Sequence, residues 1–160
     1  MAFPPIPKNS ITITVNGWLV DTALRNLFKN HLQGFTPVIT SAYRTAAQQA
    51  EMIAKGYKPS PTSSHLYNLA RDFVVTDEAS GRILSDDEMK NIWEQSINPY
   101  WHGYTYYSPK KEWTNTGWIH VNLDRGVTEG TRFIGYAGSA VMVGLGMKKV
   151  IEILKKKGRS

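Results

Sequence analysis

The decapeptide SHLYNLARDF, residues 64–73, sets an imidazole at His65 and a carboxylate at Asp72, seven positions apart. From Ala70 to Val75, ARDFVV predicts a strand, with Ala70, Asp72 and Val74 on one face. A carboxylate between small apolar residues needs a partner, because an unpaired buried charge is costly, and a metal ion is one such partner. The chain has no cysteine, so a metal here must be held by nitrogen and oxygen. One Asp with two His suits catalytic zinc with one coordination position left open. Lack of cysteine also excludes a disulfide framework.

Upstream, YKPSPTSS at 57–64 is a loop by composition. Before it, FTPVITSAY at 35–43 predicts a strand that delivers Arg44 at its end. Thr45 and Gln48 then form a T-x-x-Q capping box, opening a helix that runs to Gly56. Arg44 therefore stands at a strand-to-helix junction, where side chains commonly face a site. Nearer the start, ITITV at 11–15 alternates β-branched residues and predicts a strand, turned by Asn16 and Gly17. Val20, Ala23, Leu24, Leu27, Phe28 and His31 follow at helical spacing, ended by Gly34. The proline-rich residues 1–10 read as an extended arm.

Downstream, SDDE at 85–88 is a second capping box, opening a helix through Met89, Ile92 and Trp93. The aromatic run YWHGYTYY at 100–107 supplies core and groove-wall candidates in Tyr100, Trp101, Tyr104, Tyr106 and Tyr107. In GWIHVNLD, 117–124, Trp118, His120, Asn122 and Asp124 alternate with Ile119, Val121 and Leu123, so His120 falls on the polar face of a strand. His31 and His102 have no partner in the sequence pattern and read as packing or surface residues.

With 160 residues, 41% of them hydrophobic, the chain is sized for one domain. Its net charge of +6 is concentrated at one end. Residues 148–160 hold six Lys or Arg against Glu152 alone, +5 in all, so the remaining 147 residues carry +1. A nearly neutral body argues against specific nucleic-acid binding. Residues 133–147 lack charge, yet their 15 positions fall short of the roughly 20 of a membrane span. With the basic end they form either a helix packed on the domain or one that touches an anionic membrane or wall. The first ten residues, MAFPPIPKNS, lack the basic-then-apolar order of a secretory signal.

Three segments together carry a resemblance: SAYR at 41–44, SHLYNLARD at 64–72 and WIH at 118–120. In order and spacing they resemble the zinc D-alanyl-D-alanine carboxypeptidase family, whose pattern is S-x-Y-R, S-x-H-x-x-G-x-A-x-D and W-x-H or F-x-H. That family includes dipeptidases of vancomycin resistance and phage endolysins that cut peptidoglycan peptides. The resemblance spans about residues 38–124. It implies that His65, Asp72 and His120 bind one zinc ion, that Arg44 binds the substrate carbonyl or oxyanion, and that Ser64 supports the site. Gln48 and Asn122 are further candidates for substrate binding or support. Asn68 stands where the family has glycine, and Asn tolerates the left-handed backbone such a turn requires. Gly117 and Asn122 occupy the two positions where family members keep a proton-transfer carboxylate. Glu112 is the nearest replacement in sequence, whereas Asp124 lies about 13 Å from His120 along an extended strand.

The expectation is thus an α+β domain over 11–132 with a small antiparallel sheet flanked by helices and zinc at one edge of the sheet, followed by an apolar-to-basic helix at 133–160. The implied activity is zinc-dependent hydrolysis of a peptidoglycan peptide by a phage lysin or virion-associated enzyme, made in a host cytoplasm and acting on the wall. A catalytically impaired wall-binding module of the same fold is the alternative.

Overall fold

The computed structural model describes residues 10–60, 63–112 and 114–123, all within the unit Met1–Arg125. Residues 1–9 of the expected arm, Asp124, and the apolar-to-basic tail at 133–160 lie outside the described residues. Helix α1, Ser10–His31, overturns the first part of the sequence reading. Both the strand expected at 11–15 and the turn at Asn16-Gly17 are absorbed into this one helix. Asn16, Val20, Leu24, Leu27 and Phe28, with Leu32 just past its end, are buried at the three-to-four spacing of a single face. Once that face is docked, extending the helix backwards adds a hydrogen bond per residue, which outweighs the modest β preference of ITITV.

Strands β1 (Phe35–Ser41), β2 (Ala70–Asp77), β3 (Tyr104–Ser108) and β4 (Trp118–Asn122) pair antiparallel in the order β1-β2-β4-β3. The chain is therefore α+β, with a small antiparallel sheet and flanking helices, as the sequence predicts. One face of the sheet receives α1. There Phe73, Val75, Ile119 and Val121 are fully buried, and Phe28 meets Phe73 edge-on at 5.9 Å. Each such side chain contributes about 1.5–3 kcal/mol through burial. Among the described residues no helix is long and apolar enough to cross a membrane.

Helices α2 (Ala46–Ala54) and α3 (Asp86–Ile92) both open with the capping boxes read from sequence, Thr45 with Gln48 and Ser85 with Glu88. Helix α3 runs into a π-helical turn, Trp93–Ile97, from which the Trp93 indole donates to Thr105 Oγ1 at 3.1 Å. Asp86 ties this helix to the β3–β4 connection. Its two carboxylate oxygens accept from Gly117 N at 2.6 Å and Lys110 N at 2.9 Å, and its carbonyl accepts from Tyr107 Oη at 3.1 Å. The Gly117 amide, outweighing partial burial, holds the Asp86 carboxyl below its ordinary value of 3.8.

Replacing Asp86 with alanine leaves the Gly117 and Lys110 amides without their acceptor and should cost about 1–3 kcal/mol, read from denaturant unfolding. The sign of its pH dependence follows from the lowered value. Asp86's contribution is complete above its ordinary pKa of 3.8 and fades as pH falls through the lower folded value. The gap between wild type and Asp86→Ala should therefore narrow in strong acid.

Side chains alternate along β2, so Asp72 faces away from α1 while Phe73 faces toward it. Asp72 and His120 are direct register partners on β2 and β4. These are the two central strands, because β1 and β3 occupy the edges. Asp72 and His120, two of the three metal-binding candidates, thus lie on the central strands, which corrects the expectation of a site at an edge of the sheet.

Candidate metal centre

His65 is presented by a short 3-10 turn, Ser64–Tyr67, that leads into β2. Ser63 caps this turn through its hydroxyl, which accepts from His65 N at 3.4 Å. Asn68 ends it in the left-handed conformation, φ 56° and ψ 31°, so the asparagine does adopt the backbone that glycine would otherwise supply. The next loop clamps the histidine from outside. Arg44 N donates to the His65 carbonyl at 3.1 Å, and His65 Nδ1 donates to the carbonyl of Ala42 at 2.5 Å.

That last bond fixes the ring. With Nδ1 spent on that carbonyl, Nε2 is the ring nitrogen that faces Asp72 Oδ2, 3.2 Å away. The same arithmetic applies to His120. Its Nε2 lies 3.1 Å from Asn122 Oδ1, and the Asn122 amide donates to the Leu123 carbonyl at 3.2 Å, which leaves Oδ1 to accept the ring proton. His120 Nδ1 is then the ring nitrogen that faces Asp72 Oδ1, 2.6 Å away. One nitrogen of each imidazole and the carboxylate converge within 4.8 Å. Only a cation placed among them satisfies all three, whether protons on the rings or a metal ion. Metal-bound histidines elsewhere are oriented in this manner, by a carbonyl or amide on the far ring nitrogen.

Burial alone would push the Asp72 carboxyl up, but with protons on the two facing ring nitrogens, hydrogen bonds from His120 and His65 more than offset it and hold the group at about 2. The carboxylate is therefore ionised and ready to ligate. Side chains of His65 and His120 are both nearly sealed from solvent, while Asp72 is somewhat more accessible.

The remaining candidates divide. Arg44 is half-buried, and its guanidinium donates to Gln49 Oε1 at 2.9 Å, while Gln49 donates in turn to the Ser60 carbonyl at 2.7 Å. Gln49, 5% exposed, thus holds the arginine, whereas exposed Gln48 is spent on the capping box with Thr45. Sequence reading passed over Gln49 because a capping box draws attention to its neighbour. Ser64 supplies its carbonyl to Leu69 N at 3.1 Å. The capping hydroxyl is that of Ser63, the serine that the S-x-H spacing specifies. Tyr106 stacks on His120 at 4.8 Å and 20°, with Tyr104 tilted against both. Burial, then the Asp72 charge, raises the Tyr106 phenol above its ordinary value, so it stays protonated as a donor beside the cluster. Elsewhere His31 stacks on Tyr100 at 3.9 Å, a packing role.

Gly117 proves to be a closed position. A Cβ there would come within 2.6 Å of both the Ser108 carbonyl and the Tyr107 hydroxyl. No carboxylate could be carried there without moving the β3–β4 connection. Exposed Glu112 lies outside the cluster.

If Asn122 orients His120, Asn122→Ala should weaken zinc binding by about 10–100-fold, measured by competition with a chromophoric chelator, while all three ligands remain.

No protein-family model, curated protein or solved structure matches the chain.

Proposed function

We propose that the chain is a zinc metallopeptidase that hydrolyses a peptide bond in the stem or cross-link peptides of peptidoglycan, as a phage lysin or a virion-associated wall-opening enzyme. One observation carries the metal reading: the outward hydrogen bonds of His65 and His120 leave one nitrogen of each ring converging with the Asp72 carboxylate. The donor set fits zinc, since three nitrogen and oxygen ligands without thiolate are the usual complement of a hydrolytic zinc site. Bound there, zinc would supply a water of lowered pKa and a Lewis acid for the scissile carbonyl.

The chain's own side chains provide the rest. Arg44, with one of its five N–H groups spent on Gln49, keeps donors for a substrate carbonyl or developing oxyanion, where a fixed charge is most effective. Tyr104, 62% exposed, and Tyr106 form an aromatic wall beside His120. The peptidoglycan assignment comes from the resemblance of SAYR, SHLYNLARD and WIH. The basic residues 148–160 would favour approach to an anionic envelope.

A second reading has its own support. Gly117 is sterically closed and Asn122 is engaged with His120, so neither position offers a carboxylate to shuttle protons. A module that keeps the metal and binds wall peptides without cutting them fits this as well. Incubation with purified peptidoglycan separates the two. The enzyme reading expects new amino termini, released in step with protein and abolished by a chelator. Binding to the wall with no such release would assign the second.

A further inference from the structure

The turn that carries His65 is fastened to helix α1 by a set of bonds that plays no part in ligand chemistry. Asn16 Nδ2 donates to the Tyr67 carbonyl at 2.8 Å, and Asn68 Nδ2 donates to the Ile13 carbonyl at 2.8 Å. Asn68 Oδ1 accepts from Arg71 at 2.9 Å. Arg71, 4% exposed, places its five donors on Asp21 (2.7 and 3.1 Å), Gly17 (3.2 Å), Asn68 and Ala70 (2.7 Å). Gly17 makes room for this: a Cβ there would sit 2.3 Å from Asn68 Nδ2. The Asn16-Gly17 pair is the seat on which the metal-binding turn rests.

Asn68 is the node of this set. Its backbone N–H returns to the His65 carbonyl at 3.1 Å, while its side chain reaches α1 on one side and Arg71 on the other. A glycine could satisfy the left-handed backbone but neither side-chain bond. We infer that Asn68 is a positioning residue for the metal centre, holding the His65 turn against helix α1 so that zinc affinity is coupled to the seating of that helix; this rests on the metal-centre reading above. By reciprocity, zinc binding should strengthen the seating of α1.

Four proteins test it: wild type, Asn68→Gly, Asn68→Asp and Gly17→Ala. Zinc dissociation constants come from chelator competition, melting temperatures from the chelated proteins, and the His65 ring nitrogen resonances from NMR of the metal-free proteins. Asn68→Gly should bind zinc about 10-fold more weakly and shift or broaden the His65 ring signals. Gly17→Ala should do the same despite improving helix propensity, because its methyl displaces the Asn68 amide. Asn68→Asp, which keeps an acceptor for Arg71, should recover part of the loss. Wild-type zinc affinity together with unshifted His65 signals in Asn68→Gly overturns the inference, even if its melting temperature falls, since a plain structural clamp would do that. If wild type binds no zinc, the metal-centre reading fails by itself, and the metal-free ring signals still decide the positioning role.

Discussion

Asp72→Ala should lose zinc binding by about 10²–10³-fold and drop peptidoglycan hydrolysis to background. Tight structural zinc sites release about 10–16 kcal/mol over their ligand set, so one ligand in three or four accounts for several kcal/mol. Asp72 is also the carboxylate that both histidines face, at 2.6 and 3.2 Å, and its removal leaves two sealed imidazoles with no anion between them. The folded metal-free variant should therefore be less stable as well, by about 1–3 kcal/mol. Asp72→Asn separates the two effects: it keeps an oxygen acceptor and the side-chain volume but not the charge. Calorimetric titration with zinc gives the affinity, and circular dichroism of the chelated protein checks the fold. Unchanged zinc affinity in Asp72→Ala would remove the cluster from consideration.

Zinc should raise the melting temperature on the order of 10 °C. At free zinc of about 1,000 times the dissociation constant, a ligand that binds only the folded state adds about 4.1 kcal/mol, and domains of this size shift by roughly 2–4 °C per kcal/mol. Chelator should reverse the shift, and His65→Ala or His120→Ala should abolish it. Acid should shrink it too, because ligand atoms must be deprotonated to bind metal. Asp72 itself holds out to low pH. Its pKa is lowered from 3.8 to about 2, so as far as the carboxylate is concerned its pairing with proton-bearing His65 and His120 in the metal-free protein is complete above 3.8 and is lost as pH falls through 2. A zinc-induced shift equal in wild type and His65→Ala would place the effect elsewhere in the chain.

How much of this was legible in the sequence depends on the range of the interaction. Capping boxes at Thr45 and Ser85 are local chemistry within four residues, and both formed as read. ARDFVV and WIHVN gave the two central strands, because their β-branched and aromatic residues favour the pleated backbone. ITITV failed for the opposite reason. Its β-branched pattern is a weak local preference, and the contacts that decided it, Asn16 to Tyr67 and Arg71 to Asp21, span about fifty residues. Strand β3 was hidden because YTYYS puts tyrosines on both faces, so no apolar alternation shows. The three candidate ligands came from motif spacing, yet their orientation did not. Ala42 and Asn122, which leave one nitrogen each of His65 and His120 facing Asp72, act through a backbone carbonyl and a side-chain amide that motif spacing does not rank. Gly117 looked like a lost carboxylate in sequence, whereas the fold shows a position that cannot hold one.

Crystals of the zinc-loaded protein, measured at the zinc absorption edge, give the most direct test of the central claim. The account expects one anomalous peak per chain, bound to His65 Nε2, an Asp72 oxygen and His120 Nδ1, with His65 Nδ1 still on the Ala42 carbonyl and His120 Nε2 still on Asn122. A peak elsewhere, a peak that leaves out any of the three residues, or no peak at saturating zinc would contradict it.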